Sequence, residues 1–239
     1  MQAFVVADEI FTRVPEVCFG IVIARGVRQP GADSPAGQAI LTGLTQAIEL
    51  ARIKFMGTNV KSHPDILPYR NAFERLGINP NRFPGSIEAM VGRIAKGGSP
   101  PSINPAVDLA NTMGLRYTLP LGVHDLDCYT GSIEVRMSRE GDIFTPFGTT
   151  IAETVPPGEV VYADEKEIRT RRWIWRQGEY SKATAASTNL FYPIDGFRGV
   201  NHARILQARG ELAASLRALT GAKVRELWVD RETRYVPTD

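Results

Sequence analysis

The chain changes its sequence pattern near residue 117, and this change limits the folds open to it. Before that point apolar residues recur with helical spacing, as in segment 35–56, where Leu44, Ala47 and Ala51 fall on one face. After it, short segments rich in β-branched and aromatic residues alternate with turns. Helical segments followed by strands, without strict alternation, favour an α+β fold over a doubly wound parallel sheet.

We therefore predict a single α+β domain over residues 1–239, with one mixed or antiparallel sheet and helices around it. Asn104 suits a helix N-cap and Pro105 the first helical position. Helices are predicted near 35–56, 65–76 and 86–96, from Pro105 to about Met113, and from Asn201 or His202 to Gly221. Strands are predicted near 3–6, 17–24, 131–138, 158–164, 171–177, 187–195 and 223–230.

Charge and cysteine content exclude some classes of function. There are 28 basic and 26 acidic side chains, so any RNA contact has to use a local patch. Cys18 and Cys128 form neither a disulfide framework nor metal-ligand spacing, which favours a reduced, cytoplasmic setting. The first residues lack a signal-peptide pattern and no run approaches 18 apolar residues, so we expect no membrane partner.

His124 is one of only three histidines, and it lies in the acidic turn LPLGVHDLD. A neutral imidazole can exchange a proton near pH 7, which makes His124 a candidate catalytic group. Asp125 or Asp127 could orient it, but neighbouring side chains on a strand point to opposite faces, so the sequence does not establish a pair.

Metal binding is an alternative for the same turn. His124 and its two aspartates could join His63 or His202 in a histidine–carboxylate site, although nothing in the spacing requires it. Aspartates in turns commonly cap backbone N–H groups instead. We predict no metal and no cofactor.

The segment RTRRWIWRQ interleaves arginines with tryptophans. Such side chains can hold phosphates and stack on bases, so Arg171, Arg172, Trp173 and Arg176 are candidate RNA contacts. The alternative is an exposed strand whose long side chains cover apolar neighbours.

An ordered set of motifs resembles the B3/B4 domain of the bacterial phenylalanyl-tRNA synthetase beta subunit. The resemblance covers about residues 70–197, with segments 1–65 and 200–230 completing the domain. Its motifs are Asn104, Asp108 and Asn111 opening a helix, then LPLGVHDLD, GSIEVR, REGD, GEVVYAD, RQGE and STNLFYPID.

The resemblance implies an editing function, because the family's domain hydrolyses the ester of tyrosine wrongly attached to the tRNA for phenylalanine. It places the editing histidine at His124 and a second catalytic group at Asn111, which follows Ala110 where the family has threonine. A buried carboxylate that bonds the substrate hydroxyl would discriminate tyrosine from phenylalanine.

The implied substrate-binding residues are Glu179, which bonds the tyrosine hydroxyl in the family, together with Gly178 and Asn104. The leading hypothesis is a trans-acting aminoacyl-tRNA deacylase whose partners are tRNA and its amino acid moiety. Two alternatives stay open: a non-catalytic RNA- or protein-binding module, and a small-molecule enzyme acting on an amino acid derivative.

Overall fold

The computed structural model describes residues 2–239 and arranges its strands in two sheets. The strands are β1 (Ala3–Val6), β2 (Val17–Arg25), β3 (His124–Asp125), β4 (Ile133–Met137), β5 (Ile143–Phe144), β6 (Glu153–Thr154), β7 (Val160–Ala163), β8 (Ile168–Arg171), β9 (Arg176–Gln177), β10 (Asn189–Phe197), β11 (Lys223–Val229) and β12 (Tyr235–Pro237). The larger sheet has the order β12-β1-β4-β7-β8-β5-β6, with β9 paired to β8, and the smaller has the order β11-β2-β10-β3.

The helices are α1 (Asp8–Arg13), α2 (Pro35–Phe55), α3 (Leu67–Arg75), α4 (Ser86–Ala95), α5 (Pro105–Tyr117) and α6 (His202–Thr220), with short 3₁₀ turns at Val60–Ser62 and Leu126–Cys128. The predicted α+β class is confirmed. The pairing is mixed, because β1 lies parallel to β4 and β5 lies parallel to β8, whereas the other pairs are antiparallel.

The prediction of a single sheet is wrong, and the burial of β2 and β10 explains why. These strands pair over their full length, from Asn189 opposite Arg25 to Phe197 opposite Val17, and nearly every residue of both is buried. Strands buried on both faces need a cover on each side. Helix α6 covers one face, and the larger sheet covers the other.

Aromatic side chains fill the space between the two sheets. The Phe4 ring on β1 lies 5.5 Å from the Phe19 ring on β2 and 5.3 Å from the Phe191 ring on β10. The Tyr162 ring on β7 is 6.1 Å from that of Phe4. This contact fixes the spacing of the two sheets, because rings of this size bury much of the apolar surface of a small core.

Helix α5 begins as its sequence predicts. The Asn104 side chain accepts a hydrogen bond from the Val107 backbone N–H, and Pro105 takes the first helical position. The helix continues to Tyr117, four residues beyond the predicted end, and stops where Thr118 adopts a left-handed φ of 53°. Helix α6 begins at His202 and ends before Gly221, as predicted.

The predicted strand 171–177 is instead a tight hairpin. Strand β8 ends at Arg171, and β9 holds only Arg176 and Gln177. The two residues after Arg171 break the strand, because Arg172 and Trp173 both have positive φ, of 48° and 60°. The turn sends Trp173 inward and leaves Trp175 partly exposed.

Within residues 2–239, no helix is both long enough and apolar enough to cross a membrane.

Two glycines allow α6 to lie close against the smaller sheet. A Cβ added to Gly20 on β2 would fall 2.5 Å from Ile205 Cγ2, and one added to Gly196 on β10 would fall 2.4 Å from Ile205 Cδ1. Ile205 is itself fully buried and cannot turn away. Close packing of α6 on the sheet therefore requires glycine at both Gly20 and Gly196.

We expect Gly20→Ala to lower the free energy of unfolding by about 1–3 kcal/mol, the usual cost of overpacking. The double variant with Ile205→Ala should lose less than the sum of the two single losses, because the second change removes the clash. Gly210→Ala is the matched control: nothing lies within 4 Å of its added Cβ in α6, so it should stabilise by about 0.5–1 kcal/mol. Denaturant titration measures all four variants, and additive losses in the double variant would contradict the packing argument.

Candidate active site

A cavity of about 440 Å³ opens between α5, the β8–β9 hairpin and β10. Its wall is mostly apolar, and its apolar side chains include Val107, Leu121, Val123, Trp173, Ile174 and Pro193. Its polar side chains include Asn104, Asn111, His124, Thr170, Gln177 and Asp195. An apolar concavity with a few placed polar groups is the usual form of a small-molecule or catalytic site.

His124 lies in this wall with its ring almost completely buried. Strand β3 places it, because His124 pairs with Phe191 on β10. Three groups surround its Nδ1: the Tyr129 hydroxyl at 3.0 Å, the Ser181 hydroxyl at 3.2 Å and the Gln177 amide nitrogen at 3.2 Å.

These contacts assign the tautomer of His124. Gln177 Nε2 also faces two backbone carbonyls, Val123 O at 2.7 Å and Ser181 O at 3.3 Å, so this atom is the donating end of the amide. A donor facing Nδ1 requires that nitrogen to accept, which leaves the imidazole proton on Nε2. No described residue accepts a hydrogen bond from Nε2, so its N–H is available to a molecule in the cavity.

Burial, and to a smaller extent the positive charge of Arg169, lower the pKa of His124 to about 3. Arg169 is held by carboxylates of Asp164 at 2.6 Å and Glu167 at 2.7 Å, and its guanidinium lies 5.3 Å from the centre of the Tyr129 ring. The imidazole is therefore neutral at pH 7, and His124 acts as a hydrogen-bond donor through Nε2. The expectation of a histidine that exchanges protons near neutral pH does not fit this environment.

The two predicted asparagines both line the cavity, but they differ in whether the side-chain amide is already hydrogen-bonded within the protein. The Asn104 amide is engaged at both ends, by the Val107 N–H and by Ala183 O at 3.1 Å, so it shapes the wall. The Asn111 side chain is half-buried and makes no hydrogen bond to any described residue. Of the two, Asn111 has an amide free to meet a ligand.

Glu179 and Gly178 lie beside the cavity and are not part of its wall, contrary to the prediction that Glu179 shares a concavity with His124 and Asn111. The Glu179 carboxylate binds Lys182 and accepts from the Gly148 N–H at 2.9 Å. These hydrogen bonds, that of Lys182 first, lower the pKa of Glu179. Gly178 is bound in the hairpin through its N–H to Arg169 O, at 2.8 Å.

The inner wall holds two polar residues that the sequence analysis overlooked. Asp195 on β10 is only 2% exposed, and its Oδ1 accepts from the Tyr162 hydroxyl and the Trp173 indole N–H, both at 2.6 Å. Thr170 on β8 is 8% exposed, and its hydroxyl has no hydrogen-bond partner. For Asp195, the sequence feature that could have indicated its role is an acidic residue inside the otherwise apolar strand LFYPIDGF.

The four candidate RNA contacts separate into two pairs. Trp173 is buried and bonded to Asp195, and Arg171 is buried in ion pairs with Glu153 and Glu159, so the prediction is wrong for both. The reason is the hairpin, which replaces the expected exposed strand. Arg172 and Arg176 remain near the surface.

These two arginines belong to a layered surface cluster at the cavity mouth. The Arg172 guanidinium lies 3.9 Å from the centre of the Phe83 ring and 4.9 Å from that of Trp175. Arg82 covers Phe83 at 5.1 Å and Arg176 covers Trp175 at 5.9 Å. We call Arg82, Phe83, Arg172, Trp175 and Arg176 the arginine–aromatic stack. Arg82 and Arg176 form no ion pair with a described residue, so their charge is available to a partner.

The carboxylates of the acidic turn after His124 accept hydrogen bonds from nearby backbone and side-chain groups. Asp125 accepts from the Asp127 N–H at 3.0 Å and from the Ser187 hydroxyl, and Asp127 accepts from Asn189. Among residues 2–239, no group of three or more His, Cys, Asp or Glu side chains is placed to hold a metal ion.

The other two histidines lie away from His124. Rings of His63 and Phe55 are 4.6 Å apart, and those of His202 and Trp228 are 4.9 Å apart. The alternative histidine–carboxylate set is therefore not assembled in the described part of the chain.

Comparison with known proteins identifies the family. The B3/4 domain model matches residues 68–217, which is more than half of the chain, so the protein belongs to the B3/4 domain family. The phenylalanine–tRNA ligase beta subunit of Corynebacterium jeikeium (strain K411) is 29% identical over 90 residues, 38% of this chain and 10% of that protein. An N-terminal fragment of the phenylalanyl-tRNA synthetase beta subunit from Pyrococcus horikoshii superposes with a TM-score of 0.47 and 12% identity, over 95% of this chain and 53% of that one. The chain thus matches only about a tenth of the length of the Corynebacterium protein.

The Asp195 carboxylate makes stability depend on pH in an unusual direction. Burial raises its pKa to about 7 from an ordinary 3.8, despite the hydrogen bonds from Tyr162 and Trp173. Between these values the folded chain holds a proton that the unfolded chain releases, so this contribution is full below pH 3.8 and is lost as pH rises through 7.

We expect the unfolding free energy of the wild type, relative to Asp195→Asn, to fall by about 2 kcal/mol between pH 5 and pH 7. The Asn variant cannot titrate at this position, so the difference isolates Asp195 from every other group. Urea titrations of both proteins at the two pH values measure it. A difference that is constant, or that rises with pH, would contradict the assignment of a buried, protonated carboxyl.

Proposed function

We propose that this chain hydrolyses the ester that joins an amino acid to the 3′-terminal ribose of a tRNA. The observation that carries the proposal is a single cavity, large enough for one amino acid, in which His124 Nε2–H and the Asn111 amide face the same space. The arginine–aromatic stack at the mouth supplies a surface for nucleotides. Membership of the B3/4 domain family agrees with this chemistry.

In the proposed reaction, water adds to the acyl carbon and the bond to the ribose oxygen breaks. The products are the free amino acid and tRNA with its ribose hydroxyl restored. Charge develops on the carbonyl oxygen, and two neutral donors, His124 Nε2–H and the Asn111 amide, stabilise it without themselves becoming charged. The water's proton passes to the departing ribose oxygen, since a histidine with a pKa of about 3 does not take it up at neutral pH.

A basic groove next to the stack supports an RNA partner. Loop residues Pro80, Asn81 and Pro84 border a groove of about 850 Å³, and Arg82 and Phe83 of the stack lie within the same loop. Exposed cations Lys61, Arg93 and Lys96 line this groove. A strand whose end enters the cavity could continue along these charges, although the net charge of the chain is only +2.

A second candidate is hydrolysis of a free amino acid derivative without RNA. The cavity favours it, because its mostly apolar wall and its volume suit a small ligand by themselves. A non-catalytic RNA- or protein-binding module is the third possibility. Purified protein assayed on a panel of mischarged tRNAs and on the matching amino acid methyl esters separates these functions: hydrolysis of methyl esters alone supports the second, and no hydrolysis with retained RNA binding supports the third.

We expect His124→Ala to slow deacylation by about 10²–10³-fold, the loss found when one oxyanion donor is removed. His124→Gln should retain more activity, because its amide can donate in place of Nε2–H. Any inflection in the pH–rate profile of the wild type between pH 5 and 8 should persist in His124→Gln, since His124 does not titrate there. Single-turnover deacylation between pH 5 and 8 measures these effects, and an inflection that disappears in His124→Gln would restore the acid–base role.

We expect Arg82→Ala combined with Arg176→Ala to raise KM for aminoacyl-tRNA and to leave kcat nearly unchanged, because both side chains lie outside the reacting centre. The slope of log affinity against log salt should decrease by about 1 for each phosphate contact removed. Hydrolysis of a methyl ester should not change. Arg13→Ala is the control, an exposed arginine on α1 that does not line the cavity; an equal effect there would place the RNA surface elsewhere.

A further inference from the structure

Two buried hydroxyls lie next to Nδ1 of His124 and take no part in the proposed reaction. They belong to Tyr129 and Ser181, and neither of these residues lines the cavity. The Tyr129 hydroxyl is 3.0 Å from Nδ1, and the Ser181 hydroxyl is 3.2 Å from it. The two hydroxyls also hydrogen-bond each other. Because the proposed reaction uses only the Nε2 side of the ring, the role of these groups is still open.

The donors around Nδ1 compete for a single lone pair. Gln177 Nε2 carries two protons, and two backbone carbonyls can receive them, Val123 O at 2.7 Å and Ser181 O at 3.3 Å. The lone pair is therefore left to one of the two hydroxyls. Tyr129 is the nearer, and a phenol is a stronger donor than an aliphatic alcohol. With Tyr129 donating to Nδ1 and Ser181 donating to Tyr129, every proton of the group has its own acceptor.

One buried ion pair holds the backbone on both sides of Tyr129. The Arg169 guanidinium and the Asp164 carboxylate are 2.6 Å apart, and both side chains are almost completely buried. Arg169 donates to the carbonyl of Cys128 at 2.9 Å. Asp164 accepts from the backbone N–H of Thr130 at 2.8 Å. The phenol is thus presented to Nδ1 in one position, as the support of a catalytic group requires.

The Tyr129 phenol keeps its proton at neutral pH. Burial raises the pKa of Tyr129, and the positive charge of Arg169 offsets only part of this effect. A protonated phenol beside Nδ1 stabilises the tautomer in which Nδ1 accepts a hydrogen bond. The imidazole proton is therefore held on Nε2, which faces the cavity.

The hydrogen bond from Tyr129 also responds to the chemistry at Nε2. In the proposed reaction, negative charge develops on the carbonyl oxygen that accepts from Nε2–H. This charge polarises the imidazole and raises the electron density at Nδ1, so the bond from Tyr129 strengthens as the reaction proceeds. An interaction that is stronger in the transition state than in the ground state raises kcat.

We propose that Tyr129 is a positioning residue for His124: its hydroxyl donates to Nδ1, fixes the imidazole as an Nε2–H donor and strengthens that donor as charge develops. The benefit to catalysis rests on the proposed function, in which Nε2–H meets the ester. Tyr129 does not line the cavity, so it acts through the imidazole alone.

The test combines nitrogen-15 spectra of histidine-labelled protein with kinetics. The spectra report which ring nitrogen carries the proton and whether the other accepts a hydrogen bond. Of the three histidines, His124 is identified by the resonances that are missing in His124→Gln. Tyr129→Phe keeps the ring and removes only the hydroxyl, Ser181→Ala removes the competing hydroxyl, and the double variant removes both. Thermal unfolding checks that each variant is folded.

We expect the wild-type spectrum to show His124 protonated on Nε2 and unprotonated on Nδ1. In Tyr129→Phe the Nδ1 resonance should move downfield, most of the way to its position in the double variant. The kcat for deacylation should fall about 3- to 10-fold, the effect of one net hydrogen bond, while KM changes little. Ser181→Ala should move the resonance and kcat much less.

A second substitution places 3-fluorotyrosine at position 129. Fluorine makes the phenol more acidic with little change in size, so its hydroxyl is a stronger donor. The Nδ1 resonance should then move upfield of the wild-type position, and kcat should be at least as high as that of the wild type. A residue that only fills space would not shift the resonance in opposite directions in the two variants.

Three results would overturn the inference: an Nδ1 resonance that stays in place in Tyr129→Phe, one that moves in Ser181→Ala instead, and an unchanged kcat in Tyr129→Phe on an ester that the wild type hydrolyses. If Tyr129→Phe does not fold, a fluorotyrosine variant with the spectrum and kcat of the wild type has the same consequence. Expected shifts without hydrolysis of any ester refute the proposed function alone. Hydrolysis that does not depend on the Tyr129 hydroxyl refutes this inference alone.

Discussion

One buried carboxyl group, that of Asp195, connects the two sheets of this protein. Asp195 belongs to β10 of the smaller sheet, and its Oδ1 receives hydrogen bonds from Tyr162 of the larger sheet and from Trp173 of the hairpin. Its backbone carbonyl accepts from Tyr69 of α3, whose hydroxyl in turn accepts from Asn201. Buried networks of this kind fix one arrangement, because breaking any member leaves a polar group unpaired in a low dielectric.

The cavity follows from this arrangement. Tyr162 and Trp173 are held at one end by Asp195, so their rings stand as walls between the sheets. Behind His124 lies a charged group: Arg169, paired with Asp164 and Glu167, keeps the phenol of Tyr129 in place against the imidazole. The groups proposed to contact the ester, His124 and Asn111, are thus neutral. The charged side chains of Arg169, Asp164 and Glu167 lie behind Tyr129 and do not line the cavity. Such preorganised neutral donors suit a reaction in which charge develops on the substrate.

The sequence was sufficient for the regular elements. Helix α2, the cap of α5 at Asn104, and strand β10 could be predicted because local signals decide them: apolar spacing, a capping side chain before proline, and a β-branched and aromatic run. It also grouped His124 with Asn111, through the family resemblance, in what the structure makes a single cavity. The division into two sheets could not be predicted from the sequence, since burial of both faces of β2 depends on partners distant in the chain.

The misplaced residues have separate physical causes. Arg171 to Gln177 has the composition of a strand, and only the backbone conformation of Arg172 and Trp173 turns it into a hairpin. The family resemblance assigned Glu179 to the pocket, yet Lys182, three residues away, binds it at the rim. Asp195 was not predicted as a site residue, because the local sequence LFYPIDGF does not show which side chains meet its carboxyl group. Its role depends on the folded structure, in which Tyr162 and Trp173 both donate hydrogen bonds to it.

The left-handed pair at Arg172 and Trp173 has a consequence for how this fold can vary. The four residues 172–175 assign one tryptophan to the interior and the other to the surface, and this alternation depends on the count of residues and not on their identity alone. Inserting one residue ahead of Arg172 would shift that arginine to the position where the indole now meets Asp195, and deleting Arg172 would shift Ile174 there; either change removes the indole from the wall of the cavity. Descendants of this chain can therefore exchange the surface residues of the hairpin one by one, but a change in its length would have to arrive together with a new inner wall.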